Sequence, residues 1–182
     1  MDLSLKTSES FEDVMRFYTP MVYRIAFTRL GNAPDAEDVS QDVFVRYFKA
    51  DKTFESEEHR KAWLLRCAVN RANTAAGSAW NRHKADAPDL EQLSDTLQDN
   101  SSIEEDAEKR ETHEGVLKAV MELPAKYRTV IYLFYFEDMP TAGIAEITGN
   151  KEATVRSQLS RARELLRKKL EKLWGEAEFD EI

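Results

Sequence analysis

The segment from Thr154 to Leu170 constrains the fold more than any other stretch of the chain. Its apolar residues recur at intervals of four, three and four positions, the spacing that lines one face of an α-helix. Most other positions are basic or carry a hydroxyl group, so the helix has one buried stripe and one polar outer face. The stripe is Val155, Leu159, Ala162 and Leu166, and the outer positions include Arg156, Ser157, Ser160, Arg161 and Arg163.

Charge is arranged in blocks along the chain, whose net charge is −8. Residues 60–84 hold six basic and no acidic residues, and residues 151–172 hold eight basic and three acidic residues. Residues 85–114, with eleven acidic and two basic residues, separate the two basic blocks. Because local patches govern contact with a polyanion, the acidic total does not exclude nucleic acid as a partner.

The helical periodicity extends over most of the chain and predicts an all-α protein. Six glycines and five prolines are few for 182 residues, which favours long helices. Helices are predicted at about 9–30, with a kink or break at Pro20, and at about 34–50 and 58–80; these three form one bundle. Further helices are predicted from about 108 to Leu123, after Pro124 and over Thr141–Thr148. The acidic stretch between the two groups predicts two small helical domains joined by an acidic linker.

A helix-turn-helix is predicted near the C-terminus. Gly149 follows the short helix, and it favours the left-handed conformation that ends a helix, while Asn150 can cap the next one. The long basic helix comes second, and such a helix can lie in the major groove, where arginines read guanine edges. A solvated amphipathic helix with no DNA partner is the alternative interpretation.

Neither catalysis nor metal binding is expected of this sequence. The three histidines, His59, His83 and His113, are scattered and do not have metal-ligand spacing with Cys67, the one cysteine. No glycine-rich phosphate loop or nucleophile motif is present, so no cofactor is expected. No apolar run of about 20 residues could insert in a membrane, and no secretory signal is visible. One unpaired cysteine fits the reducing cytosol, so a cytoplasmic location is expected.

Two segments together resemble the bacterial RNA polymerase sigma factors. The C-terminal promoter-binding domain of that family resembles LPAKYRTVIYLFYFEDMPTAGIAEITGNKEATVRSQLSRARELLRKKL, and its N-terminal core domain resembles DAEDVSQDVFVRYFKA followed by RKAWLLRCAVNRA. Two domains and a linker are the plan of the extracytoplasmic-function group. The resemblance implies an alternative sigma factor that binds core RNA polymerase and promoter DNA and acts in a stress or envelope response.

The resemblance assigns a role to each part of the chain. Residues 1–85 would bind polymerase and melt the minus-ten element, and residues 108–174 would bind the minus-thirty-five element. Residues 86–107 would form the acidic linker, and residues 175–182 an acidic tail with no assigned role. Members of the family are usually held by an anti-sigma factor, so the resemblance implies that class of partner without showing that this chain has one.

The expected contact residues fall in three sets. Polymerase binding is expected at Asp38, Gln41, Asp42 and Arg46, for which a solvated helix face is the alternative. Binding of the opened minus-ten strand is expected at Arg66, Asn70, Arg71, Trp80, Arg82 and Lys84, with Asn70 at the pocket for a flipped base. Reading of the minus-thirty-five duplex is expected at Thr154, where the helix would start, and at Arg156, Ser157, Ser160 and Arg161.

Some positions depart from the family pattern. Gly143 stands where the family usually has Glu, which costs about 1 kcal/mol of helix stability. Asn81 and His83 interrupt a run that is often rich in arginine. Two other functions stay open: a stand-alone regulator that binds palindromic DNA as a homodimer, and a protein that binds polymerase without reading DNA. The acid-free basic segment 60–84 argues against the second.

Overall fold

A computed structural model describes residues 10–79 and 107–175, with side chains from residue 112 onward in the second range. Within these two ranges every regular element is a helix. The N-terminal group is α1 (Phe11–Leu30), α2 (Ala33–Ala50) and α3 (Glu57–Ala79). The C-terminal group is α4 (Ala107–Met121), α5 (Ala125–Ile131) with a π-helix (Tyr132–Phe136), α6 (Thr141–Thr148) and α7 (Glu152–Trp174). The all-α prediction is confirmed.

Local capping explains where the first helix begins and ends. The side chain of Ser10 accepts a hydrogen bond from the backbone N–H of Asp13 (3.2 Å). Gly31 ends α1 in the left-handed conformation at φ 77°. Of the kink or break predicted at Pro20, the break is wrong, because α1 is continuous through that residue. The buried residues Tyr18 and Met21 lie on either side of Pro20, so tertiary packing holds both halves in one helix.

Three pairwise contacts among α1, α2 and α3 build the N-terminal bundle. Asn32 caps α2, its side chain accepting from the backbone N–H of Asp35 at 3.0 Å. Fully buried residues such as Phe27, Val43 and Leu64 come one from each helix. The side chain of Trp63 packs against this core and contacts the ring of Tyr47 with 6.0 Å between centroids. Trp63 therefore stabilises the bundle.

The C-terminal group contains the predicted helix-turn-helix with shifted boundaries. Gly149 ends α6 at φ 71°, as predicted. The prediction that Asn150 caps the next helix is wrong, because Lys151 occupies the N-cap of α7 and makes no side-chain capping bond. The prediction that this helix starts at Thr154 is also wrong by two residues, since α7 begins at Glu152. The helix extends back because Glu152 pairs with both Thr141 and Arg156.

One hydrophobic cluster spans both groups of helices, a feature that the sequence pattern does not indicate. Helix α1 packs on α5, and α3 packs on α6. The interface between α1 and α5 also carries polar groups: the phenol oxygen of Tyr132 accepts from Arg24 Nε (3.2 Å) and donates to Glu137 Oε1 (2.7 Å). Lys61 reaches the same carboxylate from α3, with 3.0 Å between Nζ and Oε2.

The guanidinium of Arg128 joins the two groups most extensively. Its nitrogens donate to four backbone carbonyls: Thr28 (2.7 Å) and Arg29 (3.1 Å) at the end of α1, and Met121 (2.9 Å) and Leu123 (3.2 Å) after α4. The last carbonyls of a helix have no partner within that helix, so one arginine satisfies groups at two helix ends. Burial lowers the pKa of Arg128.

Candidate nucleic-acid and polymerase interfaces

The outer face of α7 is built as the sequence predicts. Val155, Leu159 and Ala162 are buried, and they hold α7 against α5 and α6. Leu166, the fourth residue of the predicted stripe, packs against the core but is only partly buried. The five residues expected to read DNA lie outside this stripe, and all five are exposed: Thr154, Arg156, Ser157, Ser160 and Arg161. The fold therefore presents one contiguous set of hydroxyl and guanidinium groups to solvent at the N-terminal half of the second helix.

A hydrogen bond connects the first turn of α7 to α6, the first helix of the helix-turn-helix. Glu152 Oε1 accepts from the hydroxyl of Thr141 (2.6 Å) and from the guanidinium of Arg156 (2.8 Å). These two hydrogen bonds, that from Thr141 first, lower the pKa of Glu152. A DNA phosphate could compete with this exposed carboxylate for Arg156, since both accept charge-assisted hydrogen bonds.

The expected polymerase contact lies on the solvent side of α2. Asp38, Gln41 and Arg46 are exposed, whereas Asp42 is only partly so. Asp42 forms ion pairs with Arg46, 3.1 Å away on the next turn, and with Arg71 of α3. The structure thus joins Asp42 and Arg71, two residues that the sequence assigned to different partners.

Sequence reasoning missed two apolar residues beside this set. Val45 (47% exposed) and Phe48 (68% exposed) lie on α2 between and after the predicted contact residues. Exposed aliphatic and aromatic side chains next to charged ones are typical of protein-binding surfaces. The signal was available in the sequence, because Val45 falls outside the spacing of the buried residues Val39 and Val43.

Three of the six residues expected at the opened minus-ten strand lie in the described part of α3. Arg66 and Asn70 are exposed one turn apart on one side of that helix, and Arg71 is partly buried in its pair with Asp42. Trp80, Arg82 and Lys84 lie outside the described residues. The predicted linker 86–107 lies outside as well, except Ala107, which begins α4, and so does the tail after Gly175.

In residues 10–79 and 107–175, no group of three His, Cys, Asp or Glu residues could hold a metal ion. No helix in the same ranges is long and apolar enough to cross a membrane. Cys67 is half-buried, and burial raises the pKa of its thiol.

These features define a class: a helical protein with a C-terminal helix-turn-helix and a second exposed polar surface on its N-terminal bundle. Family models agree with that description at both ends of the chain. Sigma-70 region 2 matches residues 14–82, and Sigma-70, region 4 matches residues 113–166. Each match coincides with one of the two groups of helices.

Similar proteins narrow the class to one family. RNA polymerase sigma factor SigV of Bacillus subtilis is 34% identical over 151 residues, covering 82% of this chain and 84% of that protein. ECF RNA polymerase sigma factor SigW of the same organism is 29% identical over 170 residues, covering 91% of each chain. The chain belongs to the extracytoplasmic-function group of RNA polymerase sigma factors. It is an alternative sigma factor that directs transcription, and these relatives do not favour a stand-alone regulator.

A solved structure shows the same fold. The sigma factor RpoE, crystallised in complex with the anti-sigma factor NepR from Bartonella quintana, superposes with a TM-score of 0.62. The two chains are 21% identical, and the alignment covers 88% of this chain and 96% of RpoE.

Proposed function

We propose that the two groups of helices divide the work of promoter recognition. Residues 1–85 bind core RNA polymerase and the minus-ten element, and residues 108–174 bind the minus-thirty-five element. Residues 86–107 connect them as an acidic linker, and residues 175–182 form a tail. The protein acts by binding in the cytoplasm and catalyses nothing itself, and an anti-sigma factor of the kind found with RpoE is a further partner.

One observation carries the DNA-binding part of the proposal. The exposed face of α7 holds two arginines, two serines and a threonine above the buried residues Val155, Leu159 and Ala162, directly after the turn of a helix-turn-helix. An α-helix of this kind fits the major groove of B-DNA, which is about 12 Å wide. Arg156 and Arg161 can then reach base edges, while Thr154, Ser157 and Ser160 contact phosphates or bases.

The N-terminal part of the proposal rests on two exposed surfaces of the first bundle. The charged residues of α2 (Asp38, Gln41, Asp42 and Arg46) dock on polymerase, and the Asp42–Arg71 pair links that face to α3. On α3, Asn70 lines the pocket for a flipped base of the minus-ten strand, and Arg66 and Arg71 hold its backbone. Trp80, Arg82 and Lys84 extend this contact.

Transcription in vitro tests the assignment of the recognition helix. Core polymerase with this chain would transcribe pooled genomic fragments, and the 5′ ends of the products would be sequenced. The double variant Arg156→Ala, Arg161→Ala should lose at least about 10-fold in promoter-specific products, because each arginine–base contact contributes roughly 1–3 kcal/mol. The matched control, Lys168→Ala with Lys172→Ala, removes the same charge further along α7 and should change little. Equal products from the double variant and wild type would contradict the assignment.

A further inference from the structure

We propose that Lys126 and Arg163, which are not among the contact residues expected from the sequence, bind DNA phosphates on opposite sides of the major groove. Tyr135 positions the guanidinium of Arg163. The inference deepens the proposed function and rests on it. It adds a phosphodiester-binding site on each flank of α7, each involving a residue of the α5–π-helix segment.

The geometry of α7 separates its surface into two flanks. Successive residues turn by about 100°, so Arg161 falls on one side of the buried stripe and Arg163 on the other. Helix α5 packs against α7 and continues into the π-helix. The two ends of this α5–π-helix segment therefore reach different flanks of α7. Lys126 lies near the flank of Arg161, and Tyr135 lies near the flank of Arg163.

The first flank is a basic recess. Lys126 and Tyr127 of α5 and the residues Thr154, Ser157 and Arg161 of α7 line a cavity of about 370 Å³. The ammonium of Lys126 lies 5.0 Å from the centroid of the Tyr127 ring. Two cationic groups and two hydroxyl groups around one open recess are donors that suit a phosphate oxygen.

The second flank holds a guanidinium in a fixed position. Arg163 Nε donates to the phenol oxygen of Tyr135 at 2.8 Å. The guanidinium carbon lies 5.2 Å from the ring centroid of Phe134 and 5.6 Å from that of Tyr135. The bond uses Nε, so the two terminal nitrogens keep the planar fork that binds phosphate in a bidentate manner.

The partner of Arg163 distinguishes it from its neighbours on the same flank. Arg156 and Arg167 pair with the carboxylates of Glu152 (2.8 Å) and Glu171 (3.4 Å), which offset their charge. Tyr135 is neutral when protonated, so it orients Arg163 without offsetting its charge. A positively charged side chain held in place loses less conformational entropy when an anion binds.

The spacing of the two anchors fits a duplex. Nine residues separate Lys126 from Tyr135, the partner of Arg163, so the backbones of these two residues lie at most roughly 13 Å apart along the helix axis. The major groove of B-DNA is about 12 Å wide, and its two edges are the phosphate backbones of the two strands. With the outer face of α7 in the groove, Lys126 meets one strand and Arg163 meets the other.

The test measures binding of the full-length chain to a mixed-sequence DNA duplex at several salt concentrations between about 50 and 200 mM. Lys126→Ala and Arg163→Ala should each reduce the slope of log K against log salt by about 0.9, because each removes one phosphate contact. Each variant should weaken binding by the same factor on duplexes of unrelated sequence. Lys172→Ala, which removes an exposed lysine from the last turn of α7, should leave the slope unchanged.

Positioning by Tyr135 needs its own readout. Tyr135→Phe keeps the ring and removes the hydroxyl, so we expect roughly 3-fold weaker DNA binding in the wild-type background and no further loss in the Arg163→Ala background. A purely structural role of Tyr135 would weaken both backgrounds equally. Circular dichroism melting of each variant checks that the fold is intact, and Lys126→Gln serves as a second variant.

The outcomes separate this inference from the proposed function. If Arg156→Ala with Arg161→Ala loses binding while Lys126→Ala and Arg163→Ala behave as Lys172→Ala, the phosphate grip is wrong and the recognition helix stands. If none of these variants differs from wild type, the recognition helix itself is misassigned. Absence of any duplex binding by the wild-type chain at about 50 mM salt would overturn the grip as well.

Discussion

The outer face of α7 and the interface between the two groups of helices both contain basic side chains, but in different surroundings. On α7, Arg156 and Lys168 are exposed and pair with acidic residues one turn away. Between the two groups of helices, Arg128 binds the backbone of Thr28 and Lys61 binds Glu137, two buried residues that are distant in sequence from their partners. Water therefore screens the charges of the exposed pairs on α7 more than those of the buried contacts between the two groups of helices.

The largest difference in the free energy of unfolding should appear between variants that each remove one arginine, one from each region. Arg128→Ala leaves four backbone carbonyls without their donor, so we expect a loss of about 3 kcal/mol in the free energy of unfolding. Arg167→Ala, in an exposed pair on α7, should change it by less than about 0.5 kcal/mol. Urea denaturation measures both. A loss below about 1 kcal/mol for Arg128→Ala would remove the contrast between the two regions.

Two lysine–glutamate salt bridges of equal length, one in each region, allow a more closely matched comparison. Lys61 and Lys168 each lie 3.0 Å from a glutamate oxygen, but the side chain of Glu137 is 7% exposed and that of Glu164 is 60% exposed. Lys61→Met leaves a buried carboxylate with one donor fewer and should cost about 2 kcal/mol. Lys168→Met should cost no more than roughly 0.5 kcal/mol. Similar costs, measured by the same denaturation assay, would mean that burial does not decide the value of these pairs.

The substitution Tyr132→Phe should have a smaller effect on stability, and this effect should depend on pH. This change removes the hydrogen bonds to Arg24 and Glu137 and should cost about 1 kcal/mol near neutral pH. Burial first, and then the charge of Glu137, raises the pKa of Tyr132 well above its ordinary value near 10. Above about pH 10 the unfolded chain ionises this residue while the folded chain keeps it protonated, so stability falls as pH rises.

The Tyr132→Phe variant has no ionisable hydroxyl at this position, so its stability lacks the pH dependence that Tyr132 causes. The difference in unfolding free energy between wild type and Tyr132→Phe should therefore shrink as pH rises above about 10, since the other tyrosines contribute equally to both proteins. Denaturation curves at pH values from about 7 to 11 give this difference directly. A constant difference would show that Tyr132 ionises as readily in the folded chain as in the unfolded one.

Much of the fold could be predicted because each helix has a local signal. The predicted helix 34–50 begins one residue after α2, the predicted helix 58–80 begins one residue after α3 and ends outside the described residues, and Thr141–Thr148 agrees fully with α6. The π-helix could not be predicted, because YLFYF is apolar or aromatic at every position and shows no helical phase. Pro20 misled because tertiary burial outweighs the hydrogen bond that proline removes.

The candidate site was predictable to a similar extent and for the same reason. The outer residues of α7 follow from the spacing of Val155 and Leu159 within one helix. The ion pair between Asp42 and Arg71 and the contacts of Arg128 could not be foreseen, because their partners lie up to 100 residues away. Contacts between distant segments leave no periodic pattern in a single sequence.

The most direct test of the central claim, that this chain is a sigma subunit docking through α2, is co-elution with sigma-free core RNA polymerase on a sizing column. We expect a one-to-one complex that is lost when Asp38 and Asp42 are both changed to lysine. The control Glu12→Lys with Glu114→Lys reverses two exposed charges on α1 and α4 and should retain the complex. No complex with wild type, and elution as a homodimer instead, would contradict the account.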